Sequence, residues 1–153
     1  MRFTIPEILD QVEKAKTKEE KIKILRGNDS VVLRGMLQLN YNDQKWNIPE
    51  GEPPFKKDKG TPVGLSETNL FVEARRLYVF LDEKSNVHKM KREQLFIDML
   101  EGIHFTEAEM LCLVKDKQLQ KKYKSIKRAL VEETFPGLLP AEVKEKKVPL
   151  EQK

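Results

Sequence analysis

Residues 106–140 read TEAEMLCLVKDKQLQKKYKSIKRALVEETFPGLLP, and the fold class turns on them. Met110, Leu111 and Val114 recur at helical spacing, so a helix is expected from Thr106. Thr106 and Glu109 stand three apart in the pattern of a capping box, with Phe105 and Met110 placed as its hydrophobic staple. A second helix is expected over about 124–135, buried through Ile126, Leu130 and Phe135 and stopped by Pro136-Gly137. Between these apolar faces the chain turns cationic. Lys115, Lys117, Lys121, Lys122, Lys124, Lys127 and Arg128 fall within fourteen residues, opposed by Asp116 alone. Seven positive charges against one negative give +6, more than the +4 of the whole chain. The remainder is therefore slightly acidic, and the field is polarised towards one region.

Upstream, Thr4-x-x-Glu7 is a second capping box, with Phe3 and Ile8 as its staple. Ile5, Ile8, Leu9 and Val12 follow at helical spacing. Thr17-x-x-Glu20 opens another helix, carrying Ile22, Ile24 and Leu25 to Gly27. Asn28 or Asp29 is placed to cap a third, with Val32, Leu33, Met36 and Leu37 as its apolar face. From about 40 to 64 the periodicity stops. Pro49, Pro53, Pro54 and Pro62 alternate with Gly51, Gly60 and Gly64, so a long loop is expected. Trp46 and Phe55 are expected to pin it to the core, while Lys56, Lys57 and Lys59 are expected to form a secondary DNA-binding patch. A loop this long is commonly functional or mobile.

Ser66 is expected to cap the next helix, with Leu70, Ala74, Leu77, Tyr78 and Leu81 as its buried stripe and Arg75 and Arg76 off it. After a polar break at 82–86 comes a helix buried through Leu95, Phe96, Met99, Leu100 and Ile103. The expectation is an all-α fold: one compact helical domain of about seven helices over 1–140, with a Pro/Gly-rich loop at 40–64. Residues 141–153 read as a charged tail.

Size and composition fit such a domain. The chain has 153 residues, 39% hydrophobic and 35% charged, with pI near 9.0. Cys112 is the single cysteine, so no internal disulfide forms, and a reducing, cytoplasmic location is expected. No stretch is long and apolar enough for a membrane span, so no membrane association is expected. His88 and His104 lack ligand partners at metal spacing, and the Gly/Pro segment lacks the backbone donors of a phosphate loop. Glu107, Glu109, Glu132 and Glu133 read as residues of helix ends and solvated faces. The expectation is no catalytic residue, no metal and no cofactor.

Two stretches carry a resemblance. KIKILRGNDSVVLRGMLQLNYN, residues 21–42, is similar to the early part of the amino-terminal helical domain of phage-type ATP-dependent DNA ligases. KSIKRALVEETFPGLLP, residues 124–140, resembles the end of that domain, where a helix closes in an aromatic-Pro-Gly-Leu-Ile/Leu-Pro turn. The chain as a whole also resembles small uncharacterised proteins of marine phages. In the ligases a nucleotidyltransferase domain with a K-x-D-G lysine follows; here only thirteen residues follow Pro140 and that motif is absent. The resemblance thus implies the DNA-holding part without the enzyme, bound to duplex phosphates largely without sequence preference. The lysine run suits the same partner, because lysines reach phosphates better than base edges. The expected function is a non-enzymatic, accessory duplex-DNA-binding protein. The alternative is a helical protein–protein adaptor of a phage replication or transcription complex.

Overall fold

The computed structural model describes residues 3–42, 44–57, 59–81 and 88–139. The expected tail at 141–153 and the polar break at 82–86 lie outside the described residues. Those described form nine α-helices, one 3₁₀ turn and no strand. In chain order they are α1 (Ile5–Lys14), α2 (Lys18–Gly27), α3 (Val31–Tyr41), α4 (Leu70–Glu73), the 3₁₀ turn (Ala74–Arg76) and α5 (Tyr78–Leu81). Then come α6 (Lys89–Gly102), α7 (Phe105–Lys115), α8 (Leu119–Lys122) and α9 (Arg128–Thr134). The all-α class expected from periodicity is the class observed.

α7 is the axle. Ala108, Met110, Leu111, Cys112 and Val114 are all buried, as are Glu107 and Lys115 at its two ends. A helix covered on so many sides sits inside a core rather than on its rim. α1, α3 and α6 pack around it, α2 lies on α1, and α9 lies on α2. Phe80, Phe96 and Trp46 join the core edge-to-face, with ring centroids 5.2 and 6.2 Å apart for the two successive pairs. Cys112 is buried as expected, and burial pushes its thiol up to about 12.

The helix starts show which caps the local sequence fixes. Thr4 and Glu7 form the reciprocal capping box, and Pro6 occupies the first turn, where its missing N–H costs nothing. Thr17 accepts from the Glu20 N–H, while the Glu20 carboxylate reaches back one residue further, to the Lys16 N–H. Three expected caps are displaced. Ser30, not Asn28 or Asp29, caps α3. Asn69, not Ser66, caps α4. α7 begins at Phe105 with His104 as its cap, so Thr106 lies inside the first turn.

The helix expected from Ser66 to Leu81 is three short pieces. Three residues of 3₁₀ geometry advance about 20° more per residue than an α-helix, rotating the following face by roughly 60°. Leu70 and Leu77 stay buried, but Phe80 turns inward where Tyr78 was expected, and Tyr78 is 66% exposed. At the other end, α9 starts four residues later than expected, and residues 119–122 form the short α8. The Phe135-Pro136-Gly137-Leu138 turn closes by Leu138 N–H to Phe135 C=O at 3.1 Å. Gly137 there has φ +86°, the left-handed conformation that position requires.

Candidate nucleic-acid interface

The seven basic residues of the lysine run divide into two groups. Lys115 belongs to the core: its side chain is 1% exposed. Its Nζ donates to the carbonyls of Pro49 (2.9 Å) and Gly51 (3.0 Å) and pairs with Asp116 at 2.7 Å. Asp116 in turn accepts from the Gly51 N–H at 3.0 Å. This ammonium clamps the Pro/Gly loop to the end of α7 and has no surface left for a phosphate. The expectation that it binds DNA is corrected on that geometry.

Lys117 terminates α7. Its φ is +59°, and the Lys117 and Gln118 N–H groups close back onto the Val114 and Leu113 carbonyls. That is the Schellman arrangement, with lysine at the site usually held by glycine. Its Nζ donates to the Leu39 carbonyl and to Asn42 Oδ1, tying α7 to the end of α3. Arg128 is also engaged, donating to the Tyr41 carbonyl (2.8 Å) and pairing with Glu132 (3.0 Å). Lys117 and Arg128 are thus drawn into the fold.

Lys121, Lys122, Lys124 and Lys127 remain exposed. Their ammonium groups make no hydrogen bond or ion pair among the described residues, and Lys122 lies 5.6 Å from the centroid of the Tyr123 ring. The turn carrying them is held firmly. Asn40 accepts from the Leu119 N–H (3.0 Å) and donates to Gln120 (3.0 Å). The Tyr41 hydroxyl donates to the Ile126 carbonyl at 2.7 Å. Burial pushes the Tyr41 phenol up to about 12, so it remains a donor throughout the physiological range. Glu13 on α1 accepts from both the N–H and the hydroxyl of Ser125. These anchors bring the end of α1, with exposed Lys14 and Lys16, alongside the junction. Sequence reasoning missed these two lysines, because only the Glu13–Ser125 contact places them there.

Acidic groups also reach the junction. Tyr123 is buried beneath the lysines, and its phenol is pushed up first by burial and then by Asp10, Glu109 and Glu13. The surface is therefore a cationic crest over an acidic flank, with four lysines outermost.

The loop lysines behave differently from one another. Lys57 is paired with Glu52 (3.0 Å) and Glu109 (3.1 Å), and those hydrogen bonds raise its pKa. Lys56 is exposed, and its backbone N–H donates to Glu101. Lys59 is exposed, 5.9 Å from the centroid of Phe105. The loop is tethered along its length: Trp46 and Ile48 are buried, and Asn47 N–H bonds to Phe80 C=O at 2.7 Å.

His104 and Glu107 form the other polar cluster, and Glu107 is buried rather than on a solvated face. His104 Nε2 lies 2.9 Å from the Thr61 carbonyl, and Nδ1 takes the Thr106 N–H (3.3 Å) and faces its hydroxyl (2.7 Å). Only the neutral ring with its proton on Nε2 satisfies all three. Glu107 accepts from the Leu70 N–H at the start of α4, while burial raises its pKa. These groups are occupied in holding α4, α7 and the loop together. Among the described residues no cluster of three or more His, Cys, Asp or Glu could hold a metal ion. No described helix is long and apolar enough to cross a membrane.

Residues 8–121 match the model of a family of unknown function, DUF6433, and the chain belongs to that family. The matched stretch runs from α1 into α8 and takes in the lysine run as far as Lys121. No curated protein matches the chain.

Proposed function

We propose that the chain is a non-enzymatic, largely sequence-independent duplex-DNA-binding protein, an accessory factor in phage replication, repair or recombination. Lys121, Lys122, Lys124 and Lys127 are its phosphate-contacting residues. The observation that carries this reading is the set of four ammonium groups, unpaired among the described residues, on a turn fastened at Asn40, Tyr41 and Glu13. A crest of lysines on an anchored turn meets a phosphate backbone without ordering of the main chain, and counterion release supplies the affinity. The two stretches that resemble the ligase domain add support, because they touch. Tyr41 bonds Ile126, Arg128 bonds Tyr41, and Arg26 donates to the Thr134 and Glu133 carbonyls at the end of α9.

The test is the salt dependence of binding to random duplex. With three or four phosphates neutralised, the log–log slope should be about −3, each contact contributing about −0.9. Replacing Lys121 and Lys122 together by Ala should weaken binding to all sequences alike and flatten the slope by up to about 2. Persistent binding with an unchanged slope would remove the junction as the site. No binding even at low salt would favour the adaptor reading, which an apolar groove between α3 and α5 supports.

A further inference from the structure

An open groove of about 450 Å³ runs between α3 and the segment from the 3₁₀ turn into α5. Val31, Gly35 and Leu39 line one side, and Leu77 and Tyr78 the other. Its lips are apolar yet open to solvent, Val31 being 77% and Tyr78 66% exposed. Arg75 lines the same groove and is exposed. The neighbouring cations have partners, Arg76 pairing with Glu73 at 3.0 Å and Arg34 with Asp29 at 2.7 Å. Arg75 makes no hydrogen bond or ion pair among the described residues.

Gly35 adds an independent observation. Glycine inside a helix weakens it, and is kept where a left-handed conformation or a close approach demands it. Neither applies within this fold. Gly35 has no positive φ, and a Cβ built on it meets nothing within 4 Å. The space beside it opens into the groove.

We propose that this groove receives an amphipathic helix of a partner protein, with apolar side chains on one face and a carboxylate placed to pair with Arg75. Val31 to Leu39 spans eight residues of rise, about 12 Å, against roughly 10.5 Å between positions i and i+7 of a docking helix. Two turns of the partner thus fit, crossing over Gly35, where the missing side chain lets the backbones approach. A second copy of this chain is the weaker fit, because a symmetric pairing presents Arg75 from both sides and no carboxylate among the described residues lines the groove to meet it. This inference goes beyond DNA binding and stands whether or not the lysine junction meets phosphate.

The test uses a displayed library of helix-forming peptides of about four turns, selected on the full-length protein. Selected peptides, labelled and titrated by fluorescence anisotropy, should carry apolar residues at i, i+3 or i+4, and i+7, with Asp or Glu on the flank. Arg75→Glu should weaken them about tenfold or more, and exchanging their acids for lysine should restore binding to that variant. Gly35→Leu should weaken all of them, with a melting curve confirming that the variant folds. Arg75→Glu should leave the DNA salt slope unchanged, which separates this surface from the lysine junction. Three outcomes overturn the proposal: no enrichment, enriched peptides without carboxylates, or binding indifferent to Arg75→Glu. Concentration-dependent self-association abolished by Gly35→Leu would also overturn it, by giving the groove to a second copy.

Discussion

Lys115→Met tests the division of the lysine run into structural and exposed halves. The substitution keeps an unbranched chain of similar length in the core but deletes an ammonium that is 1% exposed. Three bonds are lost, to the Pro49 carbonyl, the Gly51 carbonyl and Asp116 Oδ1. Hydrogen bonds to a charged group contribute about 1.5–3 kcal/mol each, but the three share one donor and do not add. Removing one partner of a buried ion pair costs about 3–5 kcal/mol, because the other charge stays behind. Two features pull the figure to the lower end. Asp116 keeps the Gly51 N–H, and Gly51 lies where water can reach it. The expected loss is about 3 kcal/mol, a large share of the roughly 5–15 kcal/mol that holds a domain together. Urea denaturation followed by circular dichroism would measure it. Adding Asp116→Asn should recover part of the loss, since no uncompensated carboxylate then remains. Lys121→Ala, on the exposed crest, should stay within about 0.5 kcal/mol of the parent. A Lys115→Met loss below about 1 kcal/mol, or equal losses at positions 115 and 121, would refute the clamp.

Two further outcomes follow from buried groups and open space. Burial holds the Glu107 carboxyl above its ordinary value of 4.5, so the folded state takes up this proton more readily than the unfolded one. Its ionisation therefore opposes folding above the folded pKa, and that opposition fades as pH falls towards 4.5. Relative to Glu107→Gln, the parent should gain thermal stability across that acid window; a constant difference in melting temperature would contradict the assignment. Gly35→Ala should stabilise the protein by about 0.5–1 kcal/mol, since the helix gains propensity and the new methyl meets nothing. A destabilised variant would mean that the fold itself requires the glycine.

What the sequence shows well are patterns whose cause is local. The Thr4–Glu7 box, the faces of α1 and α7 and the Pro-Gly stop all rest on contacts within a few residues or on apolar periodicity. Lys115 shows where charge misleads. It stands four residues after Leu111 and one after Val114, on the apolar face by spacing alone, and its charge conceals that position. Its acceptors, the carbonyls of Pro49 and Gly51, are more than sixty residues away, and no local pattern announces them. The cap of α7 is missed for a related reason. Histidine rarely stands for Ser, Thr, Asp or Asn at a helix start, and His104 holds the position through its bond to Thr61, a loop residue.

The groove has the same origin at one remove. Tyr78 reads as a core residue on a continuous α-helical stripe, and only the phase shift at Ala74–Arg76 turns it outward. That shift seats Phe80 against Phe96 in the core and, by the same rotation, leaves Tyr78 and Arg75 beside the bare backbone of Gly35. Packing thus accounts for Phe80 but not for an exposed tyrosine, an arginine unpaired among the described residues and an idle glycine along one groove. Folding alone supplies no use for those three residues, and a docked acidic helix would use all three.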